Sequence, residues 1–112
     1  MSSDSCIFCK IVNGEIPCKK VFENEMVFAF RDINPCAPQH ILLIPKIHLQ
    51  DLNALNDHNL AGELLSLVPK IAVQEGFSSY RTVINTGAES GQTVFHLHLH
   101  IIAGRNLSWP PG

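Results

Sequence analysis

Val94-Phe95-His96-Leu97-His98-Leu99-His100-Ile101-Ile102, near the C-terminus, alternates three histidines with bulky apolar residues. Alternation at period two predicts a β-strand with one buried face. Phe95, Leu97, Leu99 and Ile101 are expected to point into a core, with His96, His98 and His100 in a row on the opposite face. At roughly 3.3 Å per residue, the Cα atoms of His96 and His100 lie about 13 Å apart. One metal ion can take two neighbours of that row, but hardly all three at the short bonds imidazole makes. A row this long suits an extended anionic substrate, with different rings doing different work.

Upstream, Tyr80–Asn85 reads as another strand, and Thr86-Gly87-Ala88-Glu89-Ser90-Gly91 as a glycine-bearing loop leading into the histidine strand. Leu60, Leu64, Leu67, Val68 and Ile71 recur at helical spacing, so the main helix is placed from about Asp57 to Glu75 with Gly76 as its C-cap. Pro69 inside that stripe is expected to kink or divide it. His40-Ile41-Leu42-Leu43-Ile44-Pro45 is apolar nearly throughout, as in a strand covered on both faces. Asn34–Pro38 is a rigid turn held by two prolines. Met26–Arg31 and Lys20–Glu23 read as strands, and Cys6–Asn13 as a short helix capped by Ser5 or Asp4 and ended by Gly14. The fold class that follows is α+β: an antiparallel sheet of about five strands with one long helix and a short N-terminal helix.

The 112 residues are expected to form one small domain, ending in an extended tail at 105–112. A net charge of −2 argues against a nucleic-acid groove. No apolar run approaches the ~20 residues of a membrane span. The N-terminus also lacks the basic start and long apolar stretch of a signal peptide, so a cytoplasmic location is expected.

In a reducing compartment the four cysteines are expected as thiols or metal ligands. Only Cys6-Ile7-Phe8-Cys9 has ligand spacing. By itself Cys-x-x-Cys is ambiguous between redox and metal roles. Redox pairs usually follow a strand in a βαβ unit, and none is indicated here. Cys18 and Cys36 look unpaired, with Cys36 packed in or near the turn beside Pro35. His58 is expected to be exposed.

His96-Leu97-His98-Leu99-His100-Ile101-Ile102 resembles the signature of the histidine triad superfamily, in which histidines alternate with apolar residues. Gly14-Glu15-Ile16-Pro17, Phe30–Pro35, Ala37-Pro38-Gln39-His40, Ile44-Pro45-Lys46, Gly91-Gln92 and the closing Trp109-Pro110-Pro111-Gly112 resemble its nucleotide-binding Hint branch. Together these span nearly the whole chain. Thr93 stands where the animal-type pattern has serine, and Gly-Gln-Thr-Val is seen instead in the dinucleoside-polyphosphate hydrolases. Asn85 and the Trp-Pro-Pro-Gly tail pull back toward Hint. The Cys6–Cys9 pair resembles that of the metal-binding bacterial members.

The resemblance implies that His98 is the nucleophile, forming a nucleotidyl-histidine that water hydrolyses. The backbone carbonyl of His96 would hold its second nitrogen protonated. His100 would hydrogen-bond the phosphate oxygens, and His40 would orient the cluster. The amides of Gly91, Gln92 and Thr93 are expected to face an anion. Thr93 would contact the phosphate or the leaving amine, and Asn85 the ribose–phosphate region. Asp32 would accept from both ribose hydroxyls. Ile7, Phe8, Ile11, Phe30 and Ile33 are candidates for an apolar slot around a purine, though any one of them could be core. His48 and His96 join Cys6 and Cys9 as a structural zinc set; the alternative is two buried thiols and a surface His48.

The leading function is hydrolysis of purine nucleoside phosphoramidates. Alternatives are hydrolysis of dinucleoside polyphosphates, or nucleotide binding as an adaptor. Relatives of this type imply a two-fold homodimer with the tail near the partner's site, and the long helix and the Tyr80–Asn85 strand are the expected interface elements.

Overall fold

The computed structural model describes residues 5–112. Five strands form a single antiparallel sheet: β1 (Lys20–Glu23), β2 (Val27–Arg31), β3 (Gln39–Pro45), β4 (Arg81–Val83) and β5 (Leu99–Ala103). Their order across the sheet is β1-β2-β3-β5-β4, so the histidine-bearing strand lies next to β3, which is buried from His40 to Pro45. The register pairs Leu42 with His100 and His40 with Ile102, which makes His40 a diagonal neighbour of His100 on the same face.

Strand parity sorts the apolar residues into two cores. Val27, Ala29, Ile41, Leu43, Leu99 and Ile101 face helix α2 (His58–Glu75) and pack against its Leu60, Leu64, Leu67, Val68 and Ile71. Phe28, Phe30, Leu42 and Ile44 face the other way and pack under Phe8 and Ile11 of the short helix α1 (Ile7–Val12). His40, His98 and His100 share that second side. Helix α1 is too short to cover the whole face, and His98 and His100 line a cleft beside it.

Helix α2 starts and stops as its sequence predicts. Asp57 caps it through its carboxylate to the amides of Asn59 and Leu60, and Gly76 closes it in the left-handed conformation at φ 81°. Pro69 does not divide it. The carbonyl that loses its donor belongs to Leu65, which shares the exposed side of the helix with Pro69, where water can replace the missing bond.

Helix α1 is capped by Cys6, not Ser5: the Cys6 sulfur accepts from the Cys9 amide at 3.4 Å. Asp4, the other expected cap, lies outside the described residues. The cap residue is therefore one of the two residues with ligand spacing.

The histidine segment departs most from expectation. Regular strand begins only at Leu99, and residues 94–98 approach it as irregular chain. Phe95 is consequently 43% exposed, not in the core, whereas Leu97 is buried as expected. The other side is no solvent face: His96 and His98 are buried as well. The tail at 104–112 forms no helix or strand. It bends at Gly104–Arg105 and at Trp109–Pro110, where the peptide is cis, so it is not simply extended. Among the described residues, no helix is long and apolar enough to cross a membrane.

Candidate active site and metal centre

Hydrogen bonding determines which nitrogen of each buried imidazole carries the proton. His98 Nδ1 lies 2.7 Å from the carbonyl oxygen of His96, which can only accept. His98 therefore holds its proton on Nδ1, and its Nε2 lone pair is left available. His98 also lines a cleft of about 410 Å³, together with His100, Thr93, Asp32, Phe8 and Phe30. Phe8 meets the His98 ring edge-on with centroids 5.2 Å apart, fixing the plane of the imidazole.

A second chain of bonds sets His100. The Cys36 amide donates to His40 Nδ1 at 3.0 Å, so the His40 proton is on Nε2. His40 Nε2 then donates to His100 Nδ1 at 2.8 Å. His100 must in turn carry its proton on Nε2, and that buried N–H has no partner among the described residues. A buried donor left without an acceptor is costly unless something supplies one. Burial pushes His100 down to about 4, helped by the neighbouring His98 and His40 and opposed by Asp32. Burial likewise lowers His40 against the pull of Asp32, whose Oδ2 lies 3.5 Å from His40 Nε2. Both rings are therefore neutral near pH 7.

His96 points the other way. Its Nε2–H donates to the Pro45 carbonyl at 2.8 Å, leaving the Nδ1 lone pair aimed at Cys6 Sγ (3.3 Å) and Cys9 Sγ (3.5 Å). Burial holds this ring down at about 4. Cys9 Sγ also lies 3.4 Å from His48 Nδ1, and all four donor atoms fall within 4.8 Å of one another. Zinc bonds of about 2.3 Å to sulfur and 2.0 Å to nitrogen, at tetrahedral angles, put sulfur and nitrogen about 3.5 Å apart. The three sulfur–nitrogen distances match. A second cluster, Asp32, His40 and His100, brings its donors equally close. There the two ring nitrogens are only 2.8 Å apart, shorter than the ~3.3 Å edge that two imidazoles around zinc would need, which marks a hydrogen bond.

These clusters explain the chain's relationships. A model of the HIT domain matches residues 13–107. The chain belongs to the HIT family. An uncharacterised HIT-like protein of Synechocystis is 51% identical over 98% of this chain and 99% of its own. The 14 kDa zinc-binding protein of maize is 47% identical over 95% of this chain and 87% of its own. The crystal structure of a HIT family hydrolase from Legionella pneumophila superposes with a TM-score of 0.92 at 47% identity, covering 96% of this chain and all of that one.

Within this HIT domain the remaining expected site residues divide. Ile7, Phe8, Ile11 and Phe30 line the cleft as an apolar slot, and Ile33 stands at its rim, largely exposed. Asp32 is at the same rim, its Oδ1 accepting from the Asn34 amide at 2.8 Å. Thr93 borders the histidine end.

The loop residues need correction. The Gly91 amide donates to Ala88 O and the Gln92 amide to Gly87 O, both at 3.1 Å, so neither faces an anion. The buried Gln92 side chain instead staples its surroundings, accepting from the Gly87 amide and donating to the carbonyls of Gln50 and Val94. Asn85 does not line the cleft; it packs behind Gly91, where a Cβ would come within 3.6 Å of its amide nitrogen. Cys36 is exposed, not packed, as is His58.

Sequence reading also missed contributors. Ile16, Pro17, Cys18, Leu42 and Val94 also line the cleft, and burial raises the Cys18 thiol above its ordinary pKa. The backbone groups of Cys36 and Pro45 carry no side-chain signal at all, whereas the His96 carbonyl was expected, through the family resemblance alone. A larger groove of about 760 Å³, between the end of α2 and the tail, contains none of the histidines.

Proposed function

We propose that this chain is a nucleotide-binding hydrolase that cleaves purine nucleoside 5′-phosphoramidates at the α-phosphorus through a nucleotidyl-histidine on His98. The observation that carries the reading is the protonation pattern. One ring offers a lone pair and the next offers an unpartnered N–H, side by side, with centroids 4.9 Å apart at the end of an apolar cleft. The description of the Legionella relative as a hydrolase supports the reaction class.

In the first step His98 Nε2 bonds to phosphorus as the phosphorus–amine bond breaks. The departing amine takes up a proton relayed from solvent through the Thr93 hydroxyl, which lines the same cleft. His98 keeps its Nδ1 proton against the His96 carbonyl throughout. His100 Nε2–H donates to a non-bridging oxygen, where charge builds in the transition state. Water then attacks phosphorus and returns a proton to solvent, the bond to His98 breaks, and the nucleoside monophosphate leaves. The apolar slot around Phe8 and Phe30 takes the base, and Asp32 accepts from the ribose hydroxyls. A bound zinc would supply structural cross-linking: Cys6, Cys9, His48 and His96 would hold it, tying α1 and the 45–50 segment to the chain that carries the nucleophile.

Thr93 within Gly-Gln-Thr-Val favours the second reading, a dinucleoside-polyphosphate hydrolase. Turnover of AMP-amide and of a diadenosine polyphosphate at equal concentration separates the two. The expected result is faster release of AMP from the amide. Preference for the polyphosphate overturns the phosphoramidate assignment, and AMP binding with no turnover of either favours an adaptor.

A homodimer is part of the proposal. Leu65 and Val73 are 60% and 80% exposed on the outer side of α2, and among the described residues the edge strand β4 pairs only with β5. Exposed apolar side chains and an unpaired sheet edge are both surfaces that an isologous interface covers. Sedimentation at micromolar concentration is expected to give a species of about twice 12.4 kDa, and Leu65→Glu with Val73→Glu should return it to monomer. A 12.4 kDa species for the unaltered chain refutes the dimer.

A further inference from the structure

The direction of the His40–His100 chain depends on one backbone amide. Because the Cys36 N–H can only donate, it keeps the His40 Nδ1 lone pair in place and sends the proton outward through Nε2. Without it, His40 could carry its proton on Nδ1. His100 would then donate back to His40 through Nδ1 and present a bare Nε2 to the cleft. Yet Cys36 sits in a largely exposed turn that only the small Ala37 anchors in the core; Pro35, Cys36 and Pro38 all face solvent.

What braces that turn is Arg105, just beyond the end of β5. Its Nε and Nη2 both donate to the Cys36 carbonyl, at 3.2 and 3.0 Å, and its Nη1 is anchored on the Asn106 carbonyl at 3.0 Å. The preceding Gly104 adopts φ 98° and lies so close to the turn that a Cβ there would be 2.9 Å from Pro38 Cβ. The turn is thus clamped to the strand that carries His100. We infer that Arg105 is a positioning residue: it holds the Cys36 turn against the end of β5, so that the Cys36 amide fixes the His40 tautomer and His100 presents a donor, not an acceptor, to the substrate. This rests on the proposed role of His100 as a donor to the phosphoryl oxygen.

The test pairs ¹⁵N NMR of the histidine side chains with kinetics, in the wild-type chain, Arg105→Met and Arg105→Lys. In the wild type, His40 and His100 should both show the Nε2–H tautomer. In Arg105→Met the two rings should become tautomeric mixtures. Turnover (kcat) of AMP-amide should then fall about tenfold, with KM and AMP affinity within about twofold, because orientation is lost and binding is not. Arg105→Lys keeps the charge without the two-pronged grip and should lose roughly threefold in kcat. If the Met variant does not fold, the Lys variant carries the same two readouts.

Wild-type tautomers in the folded variants overturn the inference, whether the rate is unchanged or falls together with affinity and stability as a general structural defect. Should the wild type not turn over AMP-amide at all, the proposed function fails, while the tautomers still report on the clamp.

Discussion

His98→Asn should abolish turnover of AMP-amide, lowering kcat by about a thousandfold or more, while AMP affinity stays within about tenfold. Asparagine suits the test because its side-chain amide can still donate to the His96 carbonyl, the bond His98 makes at 2.7 Å, so the local chain keeps its tie. What it lacks is a nucleophilic lone pair on the far side of the ring. Binding should survive because the apolar slot, Asp32 and His100 are untouched. His98→Ala should give the same kinetic result at some cost in stability, since it removes a ring packed edge-on against Phe8. Steady-state kinetics and AMP titration of both variants check this. Either variant retaining a tenth of wild-type kcat would falsify the nucleophile assignment. A second check is mass spectrometry after a rapid quench, which should find a nucleotidyl adduct on His98 in the wild type and on neither variant.

How far the sequence could be read depended on how local each cause was. Helix α2 was legible because Asp57, the apolar stripe and Gly76 are all signals within one segment. Strand β1 and most of β2 and β3 were legible for the same reason. The strand at Leu99–Ala103 was overextended backwards because alternation continues through Phe95 and Leu97, while the backbone there answers to other partners. The Leu97 amide donates to the Leu49 carbonyl at 2.7 Å, and the Val94 carbonyl accepts from the Gln92 side chain. The first comes from a distant segment and the second from a side chain two residues away, and neither leaves a period in the sequence.

The expected anion-facing amides of Gly91 and Gln92 failed for a related reason. Glycines mark where a chain can turn, but not which carbonyl will capture each N–H. Pairing Cys6 and Cys9 with His48 and His96, 39 and 90 residues away in the contacts they make, likewise came only through the family resemblance.

Removing metal should be the largest stability effect. Inductively coupled plasma analysis of the purified chain should find one zinc per chain, and chelation should lower the thermal midpoint by about 10 °C. The magnitude follows from linkage. Free metal at a hundredfold over its dissociation constant stabilises the native state by about 2.7 kcal/mol, and each kcal/mol is worth roughly 4 °C in a domain near this size. The geometry makes the site part of the fold. Cys6 caps α1 and Cys9 lies within it, His48 lies in the segment after β3, and His96 lies two residues before His98.

Four donor atoms within 4.8 Å of one another, in a chain whose cysteines form no disulfide among the described residues, leave two thiols and two imidazoles crowded together for which metal is the natural common partner. Cys6→Ser should remove both the zinc and the chelator response, whereas Cys36→Ser, on the exposed turn, should change neither. Because the His96 carbonyl also holds His98, chelation should slow turnover as well as lower the midpoint, and readdition of zinc should restore both together. Protein that carries no zinc, takes none up when it is supplied and melts identically in chelator has no such site, and its Cys6–Cys9 pair is then only a pair of thiols.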